Sequence, residues 1–84
     1  EFVILVSGGN RGAWAAGERI RKAIESNVFR VEGLQGLVNV RLTVSVGVHV
    51  MAPGDTAAEI LDRADRAMYE AKKRSRNRVV SSAA

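Results

Sequence analysis

The sequence predicts an α/β chain, more closely an α+β sandwich with helices packed on a face of one sheet. The expected order is strand, helix, strand or hairpin, helix, strand. Three observations lead there. An apolar run of strand length, Phe2, Val3, Ile4, Leu5 and Val6, opens the chain. Two stretches carry apolar residues at helical spacing, the second behind a capping box. Between them, residues 40–50 alternate apolar and polar with a period of two.

Taken in order, residues 2–6 read as a buried strand. Ser7, Gly8, Gly9 and Asn10 form a loop, with Ser7 or Asn10 available to cap the next helix. Ala13, Gly17, Ile20 and Ile24 then fall on one helical stripe, and Arg11, Glu18, Arg19, Arg21, Lys22 and Glu25 make the polar side. This helix is expected to end near Ser26 and Asn27. A short strand is expected at residues 28–31, and a turn at 32–36. Over residues 38–51 a long strand is expected. Val40, Leu42, Val44, Val46, Val48 and Val50 share one face, and Arg41, Thr43, Ser45 and His49 the other. Gly47 within it marks a bulge or a close approach of something to the backbone. Pro53 and Gly54 break the strand. Thr56 followed three residues later by Glu59 is a capping box, and Ile60, Leu61, Ala64, Ala67, Met68 and Ala71 carry the helix to about Arg74. Arg78, Val79 and Val80 close the fold as a last short strand.

The 84 residues amount to one domain at most, with 46% apolar and 26% charged residues, which is globular composition. A domain this short buries roughly 60–65% of the surface its unfolded chain exposes. Cysteine is absent and His49 is the single histidine, which excludes disulfides, thiolate metal sites and a structural zinc. No apolar run reaches the roughly 18–20 residues of a membrane span, so a soluble, cytoplasmic protein is expected. Thirteen basic residues against nine acidic give a net charge of +4. Lys72, Lys73, Arg74, Arg76 and Arg78 concentrate five of these cations in seven positions. Such a cluster suits an anion: nucleotide phosphate, nucleic acid or an acidic membrane surface. It also suits a solvated helix end whose cations complement the helix dipole. Because the chain opens directly on a core strand, it is expected to be a piece of a longer protein.

Five stretches, in order, resemble the GGDEF family, the catalytic domain of diguanylate cyclases. Glu1-Phe2 and the run after it resemble the last two motif letters and the strand leaving that turn. Gly17-Glu18-Arg19-Ile20-Arg21 is similar to the family's "AERIR" helix. Leu42-Thr43-Val44-Ser45-Val46-Gly47-Val48 is similar to its "vTvSiGv" strand. Residues 64–72 are close to "ADxAmYxAK", and Arg76-Asn77-Arg78-Val79 resembles the "GRNrV" ending. Ser75 stands where the family usually has glycine. The resemblance covers essentially the whole chain. It implies that the chain is the C-terminal half of a single nucleotidyl-cyclase-like palm domain. The metal-binding aspartate, the guanine pocket and the inhibitory arginine and aspartate would lie in the N-terminal half.

By that resemblance the protein condenses two GTP molecules into cyclic di-GMP with release of pyrophosphate. It uses Mg²⁺ or Mn²⁺ and works as a homodimer, because each domain holds one GTP. Lys72 and Arg76, spaced i, i+4 at the end of the last helix, are the implied ligands of the terminal phosphates and would share one face if the helix runs that far. Glu1 is the implied metal ligand. Arg19 is the implied contact for cyclic di-GMP at a secondary inhibitory surface. Asp65, paired with Arg66 or Arg63, reads as structural, His49 as a surface residue, and Trp14 and Tyr69 as packing. No residue is assigned to catalysis itself, and the 84 residues alone are expected to be inactive, the parent chain adding regulatory domains. One alternative is a degenerate GGDEF domain that binds GTP or cyclic di-GMP and regulates a neighbour. Another is a small nucleic-acid binder, disfavoured because the cations sit at one helix end and no base-reading motif is present.

Overall fold

The computed structural model describes residues 2–5 and 9–82. Helix α1 spans Gly9–Ser26, strands β1 and β2 span Val28–Gly33 and Gly36–Arg41, β3 spans Val46–Val48, helix α2 spans Ala57–Lys73 and β4 spans Val79–Ser81. The fold class is the expected α+β. The strands, however, form two separate pairs where one sheet was expected: an antiparallel β1–β2 hairpin and a parallel β3–β4 pair.

The hairpin turns through Leu34 and Gln35 with Gly33 opposite Gly36. Phe29 faces Val40 and Val31 faces Val38, so one side of the ribbon is apolar. Arg30 faces Asn39 on the other side. Beyond Arg41 the expected long strand stops. Residues 42–45 have the alternating pattern of a strand but no ladder. The pairing of β1 ends at Val28 with Arg41, and that of β4 begins at Val79 with Val46. Neither partner reaches the stretch between, and a period of two alone supplies no hydrogen bonds to its backbone. The same reason applies to the expected first strand. Phe2 to Leu5 lie outside any strand, with Phe2 95% exposed. Val6, Ser7 and Glu1 lie outside the described residues. Asn10 does not cap α1, since the helix already includes Gly9. Its Oδ1 instead accepts a hydrogen bond from Ser81 Oγ at 2.7 Å.

The two helices take opposite faces of β3–β4. Alternate strand residues point to opposite sides. A Cβ on Gly17 of α1 would meet side-chain atoms of Val79 at 3.2 Å and Val46 at 3.3 Å. Gly47, between Val46 and Val48, faces the other way, directly under the backbone of α2 at Ala64 and Met68. This is the close approach the glycine signalled. On that face Ala67, Ala71 and Val80 form the buried cluster, while Val48 is buried on the side of α1. Small residues at 67 and 71 let α2 settle onto the strands.

Helix α2 starts where the capping box places it. Thr56 is extended (φ −82°, ψ 160°) and its Oγ1 accepts from the Glu59 N–H at 3.1 Å. Just before it, Ala52 to Asp55 close a turn through an Asp55 N–H to Ala52 carbonyl bond of 3.0 Å, with Gly54 at φ +92°. That geometry is a type II turn, in which proline and then glycine are the favoured central residues.

Candidate functional site

The C-terminal end of α2 is built as a Schellman-type stop. Arg74 is the last cap residue, and its N–H bonds to the Glu70 carbonyl. Ser75 then turns left-handed at φ +81°, and the Arg76 N–H reaches back to the Ala71 carbonyl at 2.9 Å. Arg76 and Asn77 continue left-handed, at φ +60° and +47°. Arg76 is therefore not on the helix, and the expected i, i+4 relation with Lys72 does not exist. Lys72 sits in the last turn of α2. The chain brings Arg76 near it by folding back onto Ala71, the residue before Lys72.

The five clustered cations fall into three groups. Lys73 and Arg74 both pair with Glu70, at 3.6 and 3.7 Å, and Lys73 also lies 5.9 Å above the Tyr69 ring. Arg78 Nε donates to the Arg76 carbonyl at 3.2 Å. The side chains of Lys72 and Arg76 are exposed and have no ion pair or hydrogen bond among the described residues. Lys72 borders a shallow groove with Asp65, Met68 and Tyr69. Tyr69 is 63% exposed and Trp14 45% exposed, so neither is the packing residue expected of it.

Arg19 lies on the exposed side of α1, and no hydrogen bond or ion pair among the described residues joins it to Lys72 or Arg76. Its neighbours are engaged elsewhere. Arg21 forks onto Glu18 with Nε–Oε1 2.7 Å and Nη2–Oε2 3.1 Å, and Lys22 approaches the same carboxylate at 3.8 Å. The bond from Arg21 and its charge pull the Glu18 carboxyl below its ordinary pKa, and the same contact raises that of Arg21. Arg21 Nη1 also donates to Asn77 Oδ1 at 3.0 Å, and Asn77 Nδ2 donates to Glu25. In the sequence Asn77 stands out only as a motif letter. Its tolerance of the left-handed region was the one local signal that it shapes a turn.

A second polar cluster was also missed. His49 is half-buried, with its side chain 8% exposed, where a surface residue was expected. Its Nδ1 lies 2.7 Å from Ser82 Oγ and its Nε2 3.1 Å from Asp55 Oδ2. The Ala52 N–H donates to that same oxygen at 2.9 Å. These two bonds, the backbone one foremost, lower the pKa of Asp55. Arg63 stands 4.0 Å from Asp55, and Arg66 pairs with Asp62 at 3.0 Å, so neither is the expected partner of Asp65.

Among the described residues, no three histidine, cysteine or carboxylate side chains stand close enough together to hold a metal ion. Glu1, the expected metal ligand, lies outside them. No helix among them is long and apolar enough to cross a membrane.

Against known proteins, residues 1–78 match the model of the diguanylate cyclase GGDEF domain. Diguanylate cyclase A of Treponema denticola is 34% identical over 98% of this chain, and the response regulator PleD of Caulobacter vibrioides is 38% identical over all of it. The chain spans only 22% and 18% of those two proteins. The crystal structure of the GGDEF domain of DgcB from Caulobacter crescentus, solved in complex with c-di-GMP, superposes with a TM-score of 0.79 at 26% identity. The match covers 92% of this chain and 43% of that one. With its helices, its split strand pairs and this match along nearly its whole length, the chain belongs to the GGDEF family of diguanylate cyclase domains.

Proposed function

We propose that these 84 residues are the C-terminal part of one GGDEF domain in a cytoplasmic diguanylate cyclase, which condenses two GTP into cyclic di-GMP and releases pyrophosphate. The observation that carries the reading is the state of two side chains. Within a cluster where Lys73 and Arg74 share the Glu70 carboxylate and Arg78 bonds to a main-chain carbonyl, the side chains of Lys72 and Arg76 have no partner among the described residues. They are the two cations that the family pattern assigns to the terminal phosphates of GTP. Charge on the departing pyrophosphate grows as each 3′-hydroxyl attacks an α-phosphate. Fixed cations at that end stabilise the transition state more than the ground state. Joining two GTP molecules requires two such domains facing each other, so the working unit is a homodimer under the control of regulatory domains.

Arg19, exposed on α1, is proposed as a contact for cyclic di-GMP in product inhibition. The divalent metal, Mg²⁺ or Mn²⁺, is proposed to bind through Glu1. Glu1 lies outside the described residues, and no step of this reading runs through the ion.

The reading is tested by incubating GTP and Mg²⁺ with a longer protein that carries this segment, and separately with the 84 residues, and separating the nucleotides by chromatography. Cyclic di-GMP is expected from the first and not from the second. A longer protein that binds GTP without forming product overturns the cyclase reading. Product from the 84 residues alone overturns the placement of the active site.

A further inference from the structure

We propose that Arg21 and Asn77 are positioning residues that hold Arg76 in place for an anionic phosphate. This rests on reading Arg76 as a phosphate ligand, and it names what fixes that ligand. The main chain of Arg76 is held on both sides. Its N–H donates to the Ala71 carbonyl at 2.9 Å, and its carbonyl accepts from Arg78 Nε at 3.2 Å. Its side chain, in contrast, has no partner among the described residues. A fixed backbone presents the unpaired guanidinium to an anion from a set position, so binding costs the rotamers of the exposed side chain but no further ordering of the main chain.

The turn that presents it is strained. Ser75, Arg76 and Asn77 all lie at positive φ, a region that serine and arginine rarely adopt and that asparagine tolerates better. Such a run persists only where neighbours hold it. Two of its holds are local, and the third comes from α1. The Arg21 side chain is only 14% exposed, and the Glu18 fork fixes its orientation. From there it donates to Asn77 Oδ1 at 3.0 Å, across 56 positions of sequence. Asn77 completes the link by donating to Glu25, one turn further along α1. The amide of Asn77 thus satisfies a cation with its oxygen and a carboxylate with its nitrogen, which aspartate or leucine at 77 cannot do. Helix α1, which carries none of the proposed phosphate ligands, thereby sets the shape of the loop that carries one.

The test is nuclear magnetic resonance of a longer protein that carries this segment, titrated with inorganic tripolyphosphate, with amide exchange measured at Arg76. Asn77→Gly keeps the left-handed backbone accessible and removes both side-chain bonds. It is expected to weaken tripolyphosphate binding about tenfold, the scale of a hydrogen bond to a charged group. Arg76 amide exchange is expected to accelerate by a similar factor, with exchange at Val48 and Val80 unchanged. Arg21→Gln is expected to do the same, and the double variant to lose no more than either single one. Lys72→Ala is expected to weaken binding without changing Arg76 exchange. If the wild-type chain binds tripolyphosphate and Asn77→Gly and Arg21→Gln bind it equally well, the clamp is overturned and the phosphate reading stands. If the wild-type chain does not bind it, the phosphate reading falls and this proposal falls with it. If either variant loses the folded signals of Val48 and Val80, the other decides between these outcomes.

Discussion

Gly47 lies so close beneath Met68 that a Cβ added to it would stand 2.9 Å from the Met68 Cα and closer still to backbone atoms of Ala64 and Met68. The obstacle is helix backbone, which cannot swing aside as a side chain tip can. Gly47→Ala is therefore expected to force α2 away from β3 and to destabilise the fold by about 3 kcal/mol or more, above the usual range for overpacking. Urea unfolding followed by circular dichroism checks it. A loss below about 0.5 kcal/mol would mean that α2 sits further from β3 than the structure places it.

Ser75→Gly should do the reverse. Ser75 occupies the left-handed position of the helix stop, at φ +81°, where glycine carries no steric penalty. A gain of about 1 kcal/mol is expected, read as a higher denaturation midpoint with an unchanged slope. A loss would show that the serine hydroxyl makes a contact worth more than the strain.

Acid should weaken the chain through Asp55 and Glu18. Both carboxyls have folded-state pKa values below their ordinary ones, the first through the Ala52 N–H and His49, the second through Arg21. Their contribution is complete at pH values above the ordinary carboxylate range. It is lost as pH falls through that range toward the depressed folded values, because the unfolded chain takes up the protons first. Melting temperature against pH for the wild type and for Asp55→Asn checks this. The variant should show the smaller decline on acidification, and parallel curves would count against it.

In the longer enzyme, Lys72→Ala is expected to cut kcat/KM by about tenfold or more, and Lys73→Ala by much less. Lys73 is already committed to Glu70 and the Tyr69 ring. Equal losses in steady-state assays at matched ionic strength would mean that general surface charge matters and not one side chain.

What could be read from sequence was local. Thr56 and Glu59 announce the start of α2 because the cap bond spans three residues. Pro53-Gly54 announces its turn for the same reason, and Gly47 marks a bulge or a close approach, of which the structure shows the second. The site was legible only as residue types. Lys72 and Arg76 could be named, but the turn between them could not. Their i, i+4 spacing reads as a helix face, and the left-handed run that ends the helix is held in part by Arg21, far away in sequence. His49 was hidden in the same way. Its burial depends on Asp55 and Ser82, and no period within its own strand reveals them. Residues 42–45 show the limit of alternation, which reports extended backbone but not whether a neighbouring strand is there to pair with it.

The parallel pairing of β3 with β4 also implies an order of events in folding. The β1–β2 hairpin closes over a two-residue turn and can form in about 1–10 μs on its own. Val46 meets Val79 only when the intervening chain that carries α2 has crossed back, a separation of 33 positions that carries a loop-closure cost before any contact rewards it. The barrier to folding is thus expected to lie in docking α2 with its two flanking strands. Substitutions at Ala67, Ala71 and Val80 should slow refolding, whereas substitutions in the hairpin should chiefly speed unfolding.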